Sequence, residues 1–184
     1  MAVDDGLHLN KSTIMTFLEL CEKRYSVRKY TDEPVSEEDL AYVLKCTQLA
    51  PSAVNFQPWK FVVVEAEEAK EKLRQCYSRD WFNSAPMYII AYRNKKEEWV
   101  RKVDQKPHGD IDVSIAVEHI CMAATDRGLG TCWVCNYKPE PLAELFPQPE
   151  EFEAVAIIPL GHIAEDCPFA EKKRKDLDEI VERV

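Results

Sequence analysis

The chain has 184 residues, 46% hydrophobic and 31% charged, with a formal net charge of −9; this suits one ordinary domain, 1–184, with enough apolar side chains for a core. The acidic balance argues against nucleic acid as a partner, since a phosphate backbone would be repelled, and no apolar run approaches the ~20 residues of a membrane span. Met1 to Lys11 has no secretory-signal pattern, and seven scattered cysteines suit reduced thiols better than a disulfide framework, so the expected location is cytoplasmic.

In chain order, Ile14, Phe17, Leu18 and Cys21 fall at helical spacing, with Ser12 or Thr13 as the expected cap. Arg24-Tyr25-Ser26-Val27-Arg28-Lys29-Tyr30 reads as extended, which sends Arg24, Ser26 and Arg28 to one side. Two guanidinium forks with a hydroxyl between them suit phosphate oxygens and delocalised anions. Ser36-Glu37-Glu38-Asp39 resembles a capping box that opens a second helix, with Leu40, Val43, Leu44 and Thr47 on its packed face. Ala50-Pro51-Ser52-Ala53-Val54-Asn55-Phe56-Gln57-Pro58-Trp59 is a Pro-bounded loop offering a hydroxyl and two carboxamides. Amides carry both donors and acceptors, as the edge of a uracil-like ring requires. Alone, paired arginines are commonly solvated or salt-bridged, and an Asn-x-Gln-Pro loop is ordinary turn chemistry. Together, one stretch suits an anion and the other a planar heterocycle, which suggests a nucleotide-type cofactor.

Phe61 to Val64 reads as a short buried strand, Glu67 to Tyr77 as a charged, solvent-facing helix, and Met87 to Tyr92 as another strand introduced by Pro86. From Asp110 to Arg127 a helix carries two apolar stripes, one of Val113, Ala116, Val117, Ile120 and Ala124, the other of Ile111, Ile115 and Met122. A helix apolar on two sides must be covered on two sides, so it is either central or packed against a second subunit, and Gly128 ends it. Strands are expected at Thr131 to Tyr137 and Ala154 to Leu160, with a short helix from Pro141 to Phe146 between them. A last helix is expected from Glu171 to Val184, with Leu177, Ile180, Val181 and Val184 on one side. The mixture points to an α+β sandwich.

The order Arg-x-Ser-x-Arg-x-aromatic, then Ala-Pro-Ser-x-x-Asn-x-Gln-Pro-Trp-x-Phe, then Gly128-Leu129-Gly130-Thr131-Cys132-Trp133 resembles the FMN-dependent nitroreductase family, from about Phe17 to the C-terminus. The resemblance implies a mixed, mostly antiparallel sheet flanked by helices, with the long central helix in a homodimer interface that holds FMN. It implies that Arg24 and Ser26, with Tyr25 between them, hold the FMN phosphate together with Lys172 and Arg174. Arg28 would lie beside flavin N1 and O2. Pro51, Ser52, Asn55 and Gln57 would approach the ring, some from the partner subunit, with Trp133 also in the cofactor site. The backbone near Cys135 and Asn136 would face flavin N5. The implied activity is ping-pong hydride transfer from NAD(P)H through N5 to a small acceptor such as a nitroaromatic, quinone or enone. Reductive dehalogenation, flavin processing and non-catalytic FMN storage are the alternatives on the same scaffold.

Three features depart from the family pattern: Gly161-His162-Ile163 replaces a Gly-x-Pro turn, Cys135 replaces a small or acidic residue, and Ser78-Arg79-Asp80-Trp81 matches no family contact. Cys132-Trp133-Val134-Cys135 has C-x-x-C spacing, but neither Cys121 nor Cys167 completes a zinc set, and a redox dithiol would open a helix. The pair reads as small buried residues, or Cys135 tunes the flavin. Asp110 and Asp112 read as helix-capping acids, and the four histidines show no ligand spacing, so no metal is expected. Without a Gly-rich dinucleotide loop, NAD(P)H would be a visiting substrate.

Overall fold

The computed structural model describes residues 15–169 and 171–184. Ser12, Thr13, Ile14 and the segment Met1 to Lys11 lie outside the described residues. The first helix, α1 (Phe17–Lys23), is capped by Thr16, whose hydroxyl accepts the Glu19 N–H while the Glu19 carboxylate accepts the Thr16 N–H. Ser36 caps α2 (Glu37–Gln48) by accepting the Asp39 N–H at 3.0 Å, and Leu40, Val43 and Thr47 are buried on its packed face.

Four strands, β1 (Trp59–Val64), β2 (Met87–Asn94), β5 (Leu129–Thr131) and β6 (Phe152–His162), form one sheet in the order β1-β2-β6-β5. Every ladder in it is antiparallel. Alternate side chains of β2 leave opposite faces. Ile89 and Ala91 pack with α2 and the long helix α4 (Gly109–Asp126), whereas Tyr88 and Ile90 pack with Leu73, Phe82 and Leu142 on the other side. Leu73 belongs to α3 (Glu67–Arg74) and Leu142 to α5 (Pro139–Leu145). The sheet is therefore covered on both faces, an α+β sandwich. A small hairpin of β3 (Val100–Arg101) and β4 (Lys106–Pro107) leads into α4.

The extended stretch after α1 lies along the free edge of β5. It makes one parallel bridge, Ser26 with Thr131, and the Val27 N–H donates to the Thr131 carbonyl at 2.9 Å. Val27 is buried and crosses Gly130, where an added Cβ would meet a Val27 methyl at 2.7 Å. Gly128, at φ +73°, turns the chain from α4 into β5.

Two expected elements differ. The strand from Thr131 to Tyr137 stops at Thr131, and Val134 makes only an isolated bridge to Ile157. Continuing the register sets Cys132 opposite Pro159, whose ring nitrogen has no hydrogen for the ladder, so the ladder is broken there and resumes in the same register only at Val134. The helix from Glu171 to Val184 is a single turn, α6 (Leu177–Ile180), with Leu177, Ile180, Val181 and Val184 all exposed. One turn with no buried face lacks the packing that sustains a longer helix. Among the described residues, no helix is long and apolar enough to cross a membrane.

Candidate functional site

With Val27 turned into the core, the side chains on either side of it point away from the sheet. Ser26 lies beside the buried thiol of Cys132, and Arg24 and Arg28 are near enough for their charges to act on it. Burial pushes that thiol up, while Arg28, Ser26 and Arg24 work against the rise. The stretch is extended, with Val27 buried between the less buried Ser26 and the exposed Arg28, and two guanidiniums and a hydroxyl act on one thiol. Arg24 lies 4.0 Å from the half-exposed Glu118 of α4. Arg28 is exposed, and its guanidinium sits 5.9 Å above the Trp81 ring, a cation–π arrangement that steadies it. No signal in the sequence pointed to Trp81, because the partnership depends on a 3₁₀ turn at Asp80–Ser84.

The opposite end of the chain arrives at the same place. The Lys172 ammonium donates to the carbonyls of Cys21, Glu22 and Arg24, closing the C-terminal end of α1. Burial, then the neighbouring charges of Arg24 and Arg174, hold this ammonium below the ordinary lysine value. Three cations drawn from residues 24, 172 and 174 therefore share one electrostatic neighbourhood. Glu118 is the sole carboxylate within 4.0 Å of any of them among the described residues. Tyr25, between Arg24 and Ser26, is half-buried; burial and a hydrogen bond with Cys167 push its phenol up to about 12.

The residues after β5 build the adjoining surface. Trp133 walls a shallow groove of about 510 Å³ with Asp110, Ile111, Ser114, Ile115 and Glu118 of α4. The second apolar stripe of α4 thus stays open on this chain, with Ile111 44% exposed. A smaller cavity of about 250 Å³ continues along it toward Phe17, Leu20, His119 and Met122. Cys132 is buried, but Cys135 and Asn136 are exposed. The reading of both cysteines as buried therefore holds for the first alone: Cys132 and Val134 turn inward, and three residues on from Cys132 an extended chain points Cys135 the other way.

Pro51, Ser52, Asn55 and Gln57 lie in the loop from α2 to β1, against another side of α4. The Ala53 N–H donates to the Asp112 carboxylate at 2.8 Å. Ser52 Oγ accepts the Gln57 N–H at 2.8 Å, and Gln57 Nε2 donates toward Asn55 Oδ1 at 3.3 Å. Val54, Asn55 and Gln57 take φ values of 54°, 58° and 52°, which non-glycine residues enter at a cost. Asp112 and Glu118 are six residues apart on α4, so at 3.6 residues per turn they point about 120° apart. The amide loop is therefore anchored on a different side of α4 from the carboxylate beside Arg24.

Residues 21–77 and 71–162 match the model of the Nitroreductase family. A protein of Methanothermobacter thermautotrophicus, provisionally assigned as an NADH dehydrogenase/NAD(P)H nitroreductase, is 34% identical over 166 residues, covering 85% of this chain and 82% of its own. An iodotyrosine deiodinase of Thermotoga neapolitana is 30% identical over 168 residues, covering 78% and 87%. A nitroreductase family protein of Clostridium difficile 630 superposes with a TM-score of 0.85 at 35% identity, over 91% of this chain and 98% of that one. An FMN-dependent nitroreductase of Clostridium difficile R20291 has a TM-score of 0.71 at 28% identity, over 89% and 94%.

Proposed function

From the premise that the chain belongs to the nitroreductase family, we propose that it is an FMN-dependent oxidoreductase that takes hydride equivalents from NAD(P)H and delivers them to a small acceptor such as a nitroaromatic, quinone or enone. The observation that carries this is the gathering of Arg24, Lys172 and Arg174 from opposite ends of the chain, with the half-exposed Glu118 4.0 Å from Arg24 as their one carboxylate within that distance among the described residues. Such an excess of positive charge fits a phosphate dianion. Ser26 adds a hydroxyl, Arg28 a second guanidinium, and Trp133 and α4 a groove for a planar group. The cofactor, when bound, supplies the two-electron chemistry.

The chain's own residues bind and orient. Arg24, Ser26 and Arg174 fix the phosphate, while Lys172, its three donors held by the carbonyls at the end of α1, adds its charge. Arg28, steadied by Trp81, sets positive charge where a reduced flavin is more negative. Asn55 and Gln57 offer amides to the ring, and the main chain at Cys135 and Asn136 offers N–H groups. The open stripe of α4 and the anchoring of the amide loop on a different side of that helix from Glu118 support a homodimer, in which each loop would serve the partner's cofactor.

Anaerobic titration of the purified protein with NADH and with NADPH, followed by an acceptor screen, tests the proposal. The expected result is a yellow protein bleached by a nicotinamide and recoloured by an acceptor. Colourless protein that takes up no FMN overturns the reading, and flavin that no nicotinamide bleaches replaces it with storage. Reductive dehalogenation has the deiodinase relative in its favour, so a halogenated tyrosine belongs in the acceptor screen.

A further inference from the structure

Asp112 has no part in the cation cluster or the groove. It lies in the first turn of α4 and is 2% exposed. One carboxylate oxygen accepts the Ala53 N–H at 2.8 Å, while Oδ2 is buried and has no hydrogen-bond partner among the described residues. Burying a carboxylate with one oxygen unsatisfied is costly, and packing alone would be better served by an apolar side chain.

What Asp112 holds is the most strained backbone of the described chain. Three of its four non-glycine residues at positive φ are Val54, Asn55 and Gln57. A β-branched residue such as Val54 is the least suited of all to that region. The loop's other hydrogen bonds are local: Gln57 to Ser52, Asn55 to Ser52, Phe56 to Ala53, and Trp59 to Gln57. Among the described residues, the bond from Ala53 to Asp112 alone ties residues 51–57 to α4; at the loop's far end Trp59 of β1 donates to the Gln57 carbonyl. Two of the three left-handed residues it anchors, Asn55 and Gln57, are those whose amides the proposed function assigns to the flavin ring.

We propose that Asp112 is a positioning residue: its buried carboxylate grips Ala53 and thereby holds Asn55 and Gln57 in the strained conformation that presents their amides to the cofactor. The inference rests on the FMN reading and adds to it a residue that never touches the flavin. The unpaired Oδ2 fits this role, because the grip needs one acceptor at one place and no network around it. An Asn at 112 can offer the same acceptor; an Ala cannot.

The test compares Asp112→Ala and Asp112→Asn with the wild type, each as the full chain. FMN affinity is read by fluorescence quenching. The visible spectrum and midpoint potential of the bound flavin are read at FMN saturation. Losing a hydrogen bond to a charged group corresponds to about a tenfold to hundredfold effect. Asp112→Ala is therefore expected to weaken FMN binding by about that factor and to shift the spectrum and potential at saturation, with Asp112→Asn close to wild type. A role confined to stability would lower the melting temperature and leave the saturated spectrum and potential unmoved, which overturns the inference.

Equal defects in both variants overturn it too, because the charge and not the grip would then matter. Should Asp112→Ala fail to fold, hydrogen exchange on the wild type decides: the Ala53 amide is expected to be protected well beyond its loop neighbours, and fast exchange there overturns the grip. Wild-type protein that binds no FMN is a different failure, that of the parent reading. Normal FMN binding with an unaffected Asp112→Ala is the failure of this inference alone.

Discussion

Arg28 and Lys172 carry positive charge into the same edge of the molecule, but under different constraints. Arg28 is exposed and rests on the Trp81 face. A cation beside the electron-accepting end of a flavin favours its more negative, reduced form. Arg28→Ala is expected to make the midpoint potential more negative by several tens of millivolts; spectroelectrochemistry of the saturated protein reads this, and an unchanged potential removes Arg28 from the site. Lys172 is held below the ordinary lysine value by burial and by Arg24 and Arg174. Its depressed value means that the protonated form is disfavoured in the folded, ligand-free protein; a bound phosphate reverses this. FMN affinity is therefore expected to fall as the pH rises through that depressed value. Lys172→Gln flattens this alkaline limb, and calorimetric titration from neutral into alkaline pH reads both.

At the scale of elements, the edge carrying Arg24, Ser26 and Arg28 stands where it does because Val27 is pinned over Gly130. An alanine at 130 would set its Cβ 2.7 Å from a Val27 methyl and 2.9 Å from Ile163. Gly130→Ala is expected to cost about 1–3 kcal/mol of stability, the usual range for overpacking, and to weaken FMN binding by displacing the whole stretch. Thermal unfolding and FMN titration check this. Gly128→Ala, a position with open space but a positive φ, is expected to cost stability without that loss of binding.

The elements also differ in how readable they were. The helices at α2 and α4 follow from hydrophobic spacing, and the strands β2 and β6 from short apolar runs, since both faces of the sheet are covered. The extended stretch of Arg24, Ser26 and Arg28 was legible as well. The hairpin of β3 and β4 was not, being two residues a strand and highly charged. The strain at Val54, Asn55 and Gln57 carried no signal either, since no glycine marks it; the distant Asp112 bond is part of what holds it. The C-terminal pattern of Leu177, Ile180, Val181 and Val184 misled, because periodicity proposes a face and only a packing partner makes a helix of it.

For the whole molecule, the open stripe of Ile111, Ile115 and Met122 and the anchoring of the amide loop on a different side of α4 from Glu118 point to the same assembly. If two chains complete each other's sites, Ile115→Glu should break both assembly and cofactor binding, because it buries a charge in an apolar contact. Sedimentation velocity is expected to show single chains, with FMN uptake lost in parallel. Separated chains that still hold FMN as tightly as the wild type would mean that each site is built by one polypeptide.

The gap that Pro159 leaves in the seam between β5 and β6 reaches further than the sheet. Because the imino nitrogen offers nothing to Cys132, the backbone is released there, and an indole comes to stand against a helix as the groove's far wall. Beyond it Val134 and Ile157 exchange both of their backbone hydrogen bonds, so the opening is confined to a single missing rung, with the indole seated inside it. The break beside the cleft's wall is made by a residue that does not line the cleft.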